Sequence, residues 1–239
     1  MRGKSSQLIP RRGHGTINDK AAWMESLIAI NETLRLPSPA PKPLGIAFDG
    51  PTLWMASRET NRIYAINAAA WTARDEGAAP GGPFGMTLLG DELRVIVGLG
   101  EKQNDRYIYR FVAGHGFKDD RIECPDLTGS HLAFDGDVLF LSQAHYRKIL
   151  ALDAQGKISS EILLDRTPMG MTIVDGQFYV VTTDEEFDNA QLQKVDARGS
   201  APVTTTLASF PFDARGLAYD GSRFWTCHRD DNQIVAFTV

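Results

Sequence analysis

The sequence is poor in cysteine and contains no long hydrophobic run. Cys124 and Cys227 are the only cysteines among 239 residues, and they form no Cys-x-x-Cys pair. This excludes the dense disulfide framework of a small secreted domain, and we expect reduced thiols. No apolar run reaches the roughly 18 residues of a membrane-spanning helix, and the first residues lack the apolar core of a secretion signal. We therefore expect a cytoplasmic protein with no membrane partner.

Glutamate is also scarce, at 10 residues against 20 aspartates, whereas glycine and proline reach 22 and 12. Glycine and proline break helices, and aspartate prefers turns and caps to helix interiors. This balance argues against a helical bundle and favours short strands joined by tight turns. Hydrophobic residues make up 43% of the chain, which is enough to form a core.

Positive charge is concentrated at the N-terminus. Residues 1–20 carry five Lys or Arg side chains and one Asp, which gives this segment a net charge of +4. The whole chain has a net charge of −5, so residues 21–239 have a net charge of −9. Neutralising nucleic-acid phosphates requires clustered Lys and Arg. An acidic body therefore predicts no nucleic-acid partner.

Five segments of the sequence resemble one another. Each has a small or turn residue, an alternating apolar run and an Asp-Gly or Gly-Asp pair, as in PLGIAFDG from Pro43. Successive anchor residues are 40, 46, 39 and 46 positions apart, which is typical of a four-stranded propeller blade. The anchors are Gly45, Gly85, His131, Gly170 and Gly216.

Further β-rich stretches follow each segment, and Asp-Gly between two such stretches is a strong hairpin signal. The fifth repeat ends at Val239 after its third strand, and residues 24–36 can supply the missing one. We predict an all-β, five-bladed β-propeller of four-stranded blades, whose last blade is closed by an N-terminal strand. The predicted organisation is a basic tail over residues 1–20 and a single propeller domain over residues 21–239, with repeats that start near residues 43, 83, 129, 168 and 214.

The repeats resemble those of known propeller families. PLGIAFDGPTLWMASRETNRIYAIN and ARGLAYDGSRFWTCHRDDNQIVAF are similar to blades of the NHL, virginiamycin B lyase and gluconolactonase-like propellers, a likeness that covers residues 43–239. A weaker likeness links the chain to plant-type five-bladed glutaminyl cyclases, but PFGMTLL, from Pro83, has no acidic residue where the FGEGIT motif has one. The metal-binding glutamate of gluconolactonase-like enzymes has no counterpart among the five anchors. The resemblance therefore implies a scaffold that binding proteins, hydrolases and lyases share.

Polar residues that break the repeat are the candidates for a functional site. His131 stands where the other four anchors are glycine, and His145 and His228 are expected on the same loop-bearing face of the ring. A neutral histidine can act as a base or a metal ligand, so these three are the candidate catalytic residues. A purely structural role in the core or in a loop is the open alternative for each.

The same face is expected to carry ligand-binding side chains. An arginine can clamp a carboxylate or phosphate with two hydrogen bonds, unless a neighbouring acid occupies it. Longer connections that begin at Gly98 and Thr182 can form walls beside a pocket. The candidate ligand-binding residues are Arg58, Glu59, Gln143, Asp184, Arg215 and Arg229.

Two classes of function are open. The first is the binding of a small molecule or peptide on the loop-bearing face, which we favour because no family catalytic motif is intact. The second is a hydrolase or lyase that uses the face histidines, with or without a divalent metal. A glutaminyl-cyclase-like acyltransferase is disfavoured, and no cofactor motif is evident.

Overall fold

A computed structural model describes residues 27–199 and 201–239, so the predicted basic tail over residues 1–20 lies outside the described residues. The described chain forms five antiparallel four-stranded sheets arranged as a β-propeller. The predicted all-β, five-bladed architecture is confirmed. In this part of the chain no helix is both long and apolar enough to cross a membrane.

The strands are short and follow one another through tight connections. In chain order they are β1 (Asn31–Pro37), β2 (Pro43–Asp49), β3 (Thr52–Ser57), β4 (Arg62–Asn67), β5 (Thr72–Ala78), β6 (Gly82–Leu89), β7 (Glu92–Leu99), β8 (Asp105–Val112), β9 (Gly116–Glu123), β10 (His131–Phe134), β11 (Leu139–Gln143), β12 (Lys148–Leu152), β13 (Ile158–Leu163), β14 (Thr167–Val174), β15 (Gln177–Thr183), β16 (Gln191–Asp196), β17 (Val203–Ser209), β18 (Ala214–Tyr219), β19 (Phe224–His228) and β20 (Gln233–Thr238). A single 3₁₀ turn, Pro125–Leu127, precedes β10.

Blades 1 to 4 each use four consecutive strands, β2–β5, β6–β9, β10–β13 and β14–β17. Blade 5 consists of β18, β19 and β20, with β1 as its outermost strand. In the antiparallel β1–β20 pair, Leu34 lies opposite Ala236 and Leu36 opposite Ile234. The predicted closure of the last blade by an N-terminal strand is confirmed, and it covers a sheet edge that β20 would otherwise expose.

The hydrophobic core consists of five clusters, one between each pair of neighbouring blades. Successive side chains of a strand point to opposite faces, so each blade contributes to two clusters. In β3, Leu53 and Met55 pack towards blade 5, whereas Trp54 packs towards blade 2. Each blade is therefore apolar on both faces, and the stability of the ring depends on every interface.

The inner strands approach one another closely around the central channel. A Cβ atom on Gly85 would lie 2.4 Å from the Cα atom of His131, and one on Gly170 would lie 2.4 Å from the carbonyl carbon of Gly216. Such distances are shorter than any real Cβ contact, so these anchors must be glycine. The channel is consequently narrow at the level where the inner strands begin.

Candidate functional site

His131 is the first residue of β10, the inner strand of blade 3. Its side chain is buried, with 5% of the residue exposed, and its backbone N–H donates to Ser142 Oγ at 3.1 Å. Burial, together with the charges of Arg215 and Arg106, lowers the pKa of His131 to about 3. The imidazole is therefore neutral at physiological pH, with one N–H donor and one acceptor nitrogen.

Two arginines from blades 1 and 2 share one aromatic platform beside the channel. The guanidinium carbons of Arg58 and Arg106 lie 4.7 Å and 3.9 Å from the centre of the Phe84 ring. Arg58 Nε donates to Gln103 Oε1 at 2.6 Å, and Arg106 Nη1 donates to the carbonyl oxygen of Gly129. Cation–π stacking and these hydrogen bonds fix the orientation of both side chains.

Two glycines make room for this arrangement. A Cβ on Gly98 would lie 2.9 Å from the Phe84 ring, and one on Gly82 would lie 2.1 Å from Gln103 Oε1. The absence of side chains at Gly98 and Gly82 therefore leaves room for Phe84 and Gln103. The local sequence of blade 2 positions an aromatic ring and an amide against which the arginines are held.

Blade 5 supplies a second pair of arginines around one aspartate. Arg215, in β18, is 9% exposed, and its Nη2 lies 2.7 Å from Asp213 Oδ1. Arg229 follows β19, and its backbone N–H donates to the carbonyl oxygen of Asp213 at 3.3 Å. Burial raises the pKa of Asp213, an effect opposed by the charge of Arg215.

Electrostatic effects connect these arginines into one group, the arginine cluster, which comprises Arg58, Arg106, Arg215 and Arg229. Burial and then the charge of Arg229 lower the pKa of Arg58, while burial and then the charge of Arg58 lower the pKa of Arg106 to about 10. Burial also lowers the pKa of Arg215, to which the charge of Arg229 contributes. Like charges are therefore held close together, and two of them, Arg106 and Arg215, act on His131.

The arginine cluster has one ion-paired carboxylate among the described residues, and the charges of Asp230 and Asp188 also act on Arg215 and oppose the lowering of its pKa. Within residues 27–199 and 201–239, Asp213 is the one carboxylate that forms an ion pair with a member of the cluster. The buried Nε atoms of Arg106 and Arg229 have no hydrogen-bond partner among the described residues. A buried unsatisfied donor costs about 1–3 kcal/mol, and these two atoms are enclosed by protein, so the cost is carried by the folded chain itself.

A cleft of about 480 Å³ opens beside Arg215 and Asp213. One wall is the blade 4 connection, Glu186–Ala190, which belongs to the longer loop that begins at Thr182. The opposite wall is Phe210–Asp213. Arg215 is the one member of the arginine cluster that lines this cleft, and the other charged side chains along it are those of Glu186, Asp188, Asp213 and Asp230.

The three candidate histidines lie in separate environments. His145 is exposed on a loop, with its ring 6.4 Å from that of Phe187. His228 stacks on Phe212 at 4.5 Å, and its Nδ1 lies 2.9 Å from Arg35 Nη1. Because arginine has no acceptor, Nδ1 must accept this hydrogen bond. The structure therefore places His131 near Arg106 and Arg215 and His228 beside Arg229 and Asp213, whereas His145 lies apart on its loop.

The other candidate binding residues have mixed placements. Glu59 is exposed, and Asp184 accepts a hydrogen bond from the backbone N–H of Asp188 at 2.8 Å within its own loop. Gln143 is buried at the end of β11, where its Nε2 donates to the carbonyl oxygens of Pro125 and Thr128. Arg58, Arg215 and Arg229 lie together in the cluster, whereas Glu59, Gln143 and Asp184 are engaged elsewhere or face solvent.

Sequence reasoning missed Arg106, Phe84, Gln103 and Asp213. One sequence signal pointed to this part of the site: the long blade 2 connection from Gly98 contains Gln103 and leads into Arg106. Among the described residues, no group of three or more His, Cys, Asp or Glu side chains is placed to hold a metal ion. The three candidate histidines do not form a metal centre.

Comparison with known proteins supports the fold at low sequence identity. No family model and no curated protein matches the sequence. Glutaminyl cyclase from Myxococcus xanthus superposes with a TM-score of 0.66 at 8% identity, covering 88% of this chain and 96% of the other. The PQQ-bound aldose sugar dehydrogenase from Streptomyces coelicolor gives 0.61 at 13% identity, covering 87% and 97%. Virginiamycin B lyase from Staphylococcus aureus gives 0.51 at 19% identity, covering 85% and 68%.

These structures and the blade geometry show that the protein has the β-propeller fold, as the resemblance of its repeats to propeller families implied. Its structural neighbours include a lyase, a cyclase and a dehydrogenase, one of them with bound PQQ. Because the identities are 19% or lower, the similarity shows the fold alone.

Proposed function

We propose that this propeller binds a small anionic molecule at the arginine cluster. The observation that carries the proposal is an excess of positive charge at buried and half-buried positions, since the arginine cluster has four guanidinium groups and one ion-paired carboxylate among the described residues. A bound anion would raise the lowered arginine pKa values. The stacked and hydrogen-bonded side chains are already oriented, which reduces the entropy lost on binding.

The low pKa of His131 and the hydrogen bond from Arg35 to His228 favour ligand binding over acid–base catalysis. A base with a pKa of about 3, as for His131, is too weak to remove a proton efficiently near neutral pH. His228 has one ring nitrogen occupied by Arg35. A hydrolase or lyase based on these histidines, and a glutaminyl-cyclase-like acyltransferase, therefore have less support than a binding site.

A panel of ions and three variants test the proposal. Phosphate, citrate and acetate are compared with uncharged glycerol by thermal shift and by titration calorimetry. Arg58→Gln and Arg229→Gln remove cluster charges at partly exposed positions. Arg198→Gln is the matched control, because Arg198 is exposed and pairs with Asp196 at the rim of blade 4.

We expect at least one anion to bind the wild type and the Arg198→Gln variant equally well, with weaker binding at higher ionic strength. Both cluster variants are expected to bind it more weakly while unfolding cooperatively. The proposal is wrong if no anion binds, or if Arg198→Gln weakens binding as much as the cluster variants do.

A further inference from the structure

The cleft beside Arg215 is lined mainly by acidic and aromatic side chains. Among the described residues that line it, Arg215 is the one basic residue. At about 480 Å³, the cleft lies within the usual size range of small-molecule pockets. Its carboxylates are those of Glu186, Asp188, Asp213 and Asp230, and its aromatic rings are those of Phe187, Phe210 and Phe212.

The two carboxylates on the blade 4 wall of the cleft lack a basic partner. Glu186 and Asp188 are both exposed, and neither forms an ion pair within residues 27–199 and 201–239. The blade 4 wall therefore offers two unpaired negative charges to an incoming cation. On the blade 5 side both carboxylates are paired, Asp213 with Arg215 at 2.7 Å and Asp230 with Lys42 at 2.8 Å.

The carboxylates of the cleft do not form a metal site. In the part of the chain that the structure describes, no group of three or more His, Cys, Asp or Glu side chains is placed to hold a metal ion. Negative charge is therefore distributed along the walls of the cleft rather than gathered at one point. Such a distribution fits a cation larger than a metal ion, with an apolar part that also contacts the walls.

The aromatic rings are a second and independent indication of such a ligand. Phe187 is 42% exposed on the same wall as the two unpaired carboxylates, and its ring makes an edge-on contact with His145, 6.4 Å away. On the opposite wall, the guanidinium carbon of Arg35 already lies 5.1 Å from the centre of the Phe212 ring. Cations within about 6 Å of a ring centre are attracted to its face. An exposed ring beside unpaired carboxylates can therefore contact both parts of an organic cation.

We infer that this cleft binds a small organic cation, namely a protonated amine joined to an apolar group. The ammonium group donates hydrogen bonds to the carboxylates of Glu186 and Asp188, and the apolar group packs against Phe187. This inference goes beyond the proposed function and does not depend on it, because the arginine cluster and the blade 4 wall attract ligands of opposite charge.

Three related probes test the class of ligand. Phenethylamine carries an ammonium group and a ring, phenethyl alcohol lacks the charge, and methylamine lacks the ring. Titration calorimetry on the wild type, in a buffer free of amines and divalent cations, measures the three affinities and that of calcium chloride. We expect phenethylamine to bind about tenfold or more tightly than each of the others, and more weakly as the ionic strength rises.

Variants of the blade 4 loop test where the cation binds. Glu186→Gln and Asp188→Asn each remove one carboxylate, and Phe187→Ala removes the exposed ring. Glu185→Gln is the matched control, because Glu185 belongs to the same loop, pairs with Arg147 at 2.9 Å and does not line the cleft. Each of the first three variants should weaken phenethylamine binding by about threefold or more, and the control should bind as the wild type does. Circular dichroism and thermal unfolding show whether each variant is folded.

Four results would each overturn the inference. Failure of phenethylamine to bind, or equal binding of phenethyl alcohol, would show that the cleft does not recognise an organic cation. Tighter binding of calcium than of phenethylamine would show a metal site instead. An equal loss of affinity in Glu185→Gln would show that the loop attracts cations without a defined site. None of these results bears on the proposed anion site, which is measured with ligands of opposite charge.

Discussion

The neutral state of His131 predicts how the stability of the protein depends on pH. Burial and the nearby arginines lower the pKa of His131 to about 3 in the folded protein, whereas an unfolded chain gives histidine a pKa of about 6.5. Below pH 6.5 the unfolded state binds a proton that the folded state excludes. The contribution of His131 is therefore fully present above the unfolded pKa and is lost as the pH falls towards the folded pKa.

The size of the effect follows from these two pKa values. Each unit between them is worth about 1.4 kcal/mol, so at pH 5 the free energy of unfolding should be about 2 kcal/mol lower than at pH 8 through this residue alone. His131→Asn has no such titration. The difference in unfolding free energy between wild type and variant should therefore shrink by about 2 kcal/mol from pH 8 to pH 5.

Urea unfolding followed by tryptophan fluorescence measures this difference, because Trp54 and Trp225 are buried between blades and report on the core. Measurements at pH 8, 6 and 5 on wild type, His131→Asn and the exposed control His145→Asn separate the contribution of the buried imidazole. The control should follow the wild type. A gap between wild type and His131→Asn that stays constant from pH 8 to pH 5 would refute the reasoning.

Two further predictions concern the ring itself. Gly85→Ala should destabilise the protein by about 1–3 kcal/mol in urea unfolding, because the new Cβ would lie 2.4 Å from His131 Cα, whereas Gly199→Ala, with its nearest contact at 3.6 Å, should have little effect. Equal stability of the two variants would contradict the close approach of the inner strands. A chain that begins after Pro37 lacks β1 and exposes the edge of β20, so we expect it to associate on size-exclusion chromatography, while a chain that begins at Leu27 stays monomeric. A monomeric, cooperatively folded chain without β1 would show that closure of blade 5 is dispensable.

The fold was predictable because its signals are local and repeated. Each hairpin depends on a short turn, as at Asp175 and Gly176, which both adopt positive φ angles of 51° and 72°. Such a turn joins two strands in a fixed register wherever it occurs. The missing strand was predictable for a different reason, since an incomplete fifth repeat leaves β20 with an unpaired edge that only a distant segment can cover.

The site was less predictable because its contacts are between blades. Arg58 and Arg106 come from different repeats and meet on Phe84 only after two blades pack together. No periodic pattern distinguishes Arg106 from an ordinary residue at the start of a strand. His228 illustrates the same limit, because its partner Arg35 is 193 residues away and belongs to the closing strand. Sequence indicated which side chains share a face, whereas their pairing depends on tertiary packing.

The departure from the repeat at position 131 connects the fold to the proposed ligand. A glycine there would contribute no side chain, and a charged side chain would add to or cancel the field of Arg106 and Arg215. A buried histidine does neither, because the same burial and positive charges that surround it keep it neutral. It can therefore form a hydrogen bond without changing the net charge of the arginine cluster.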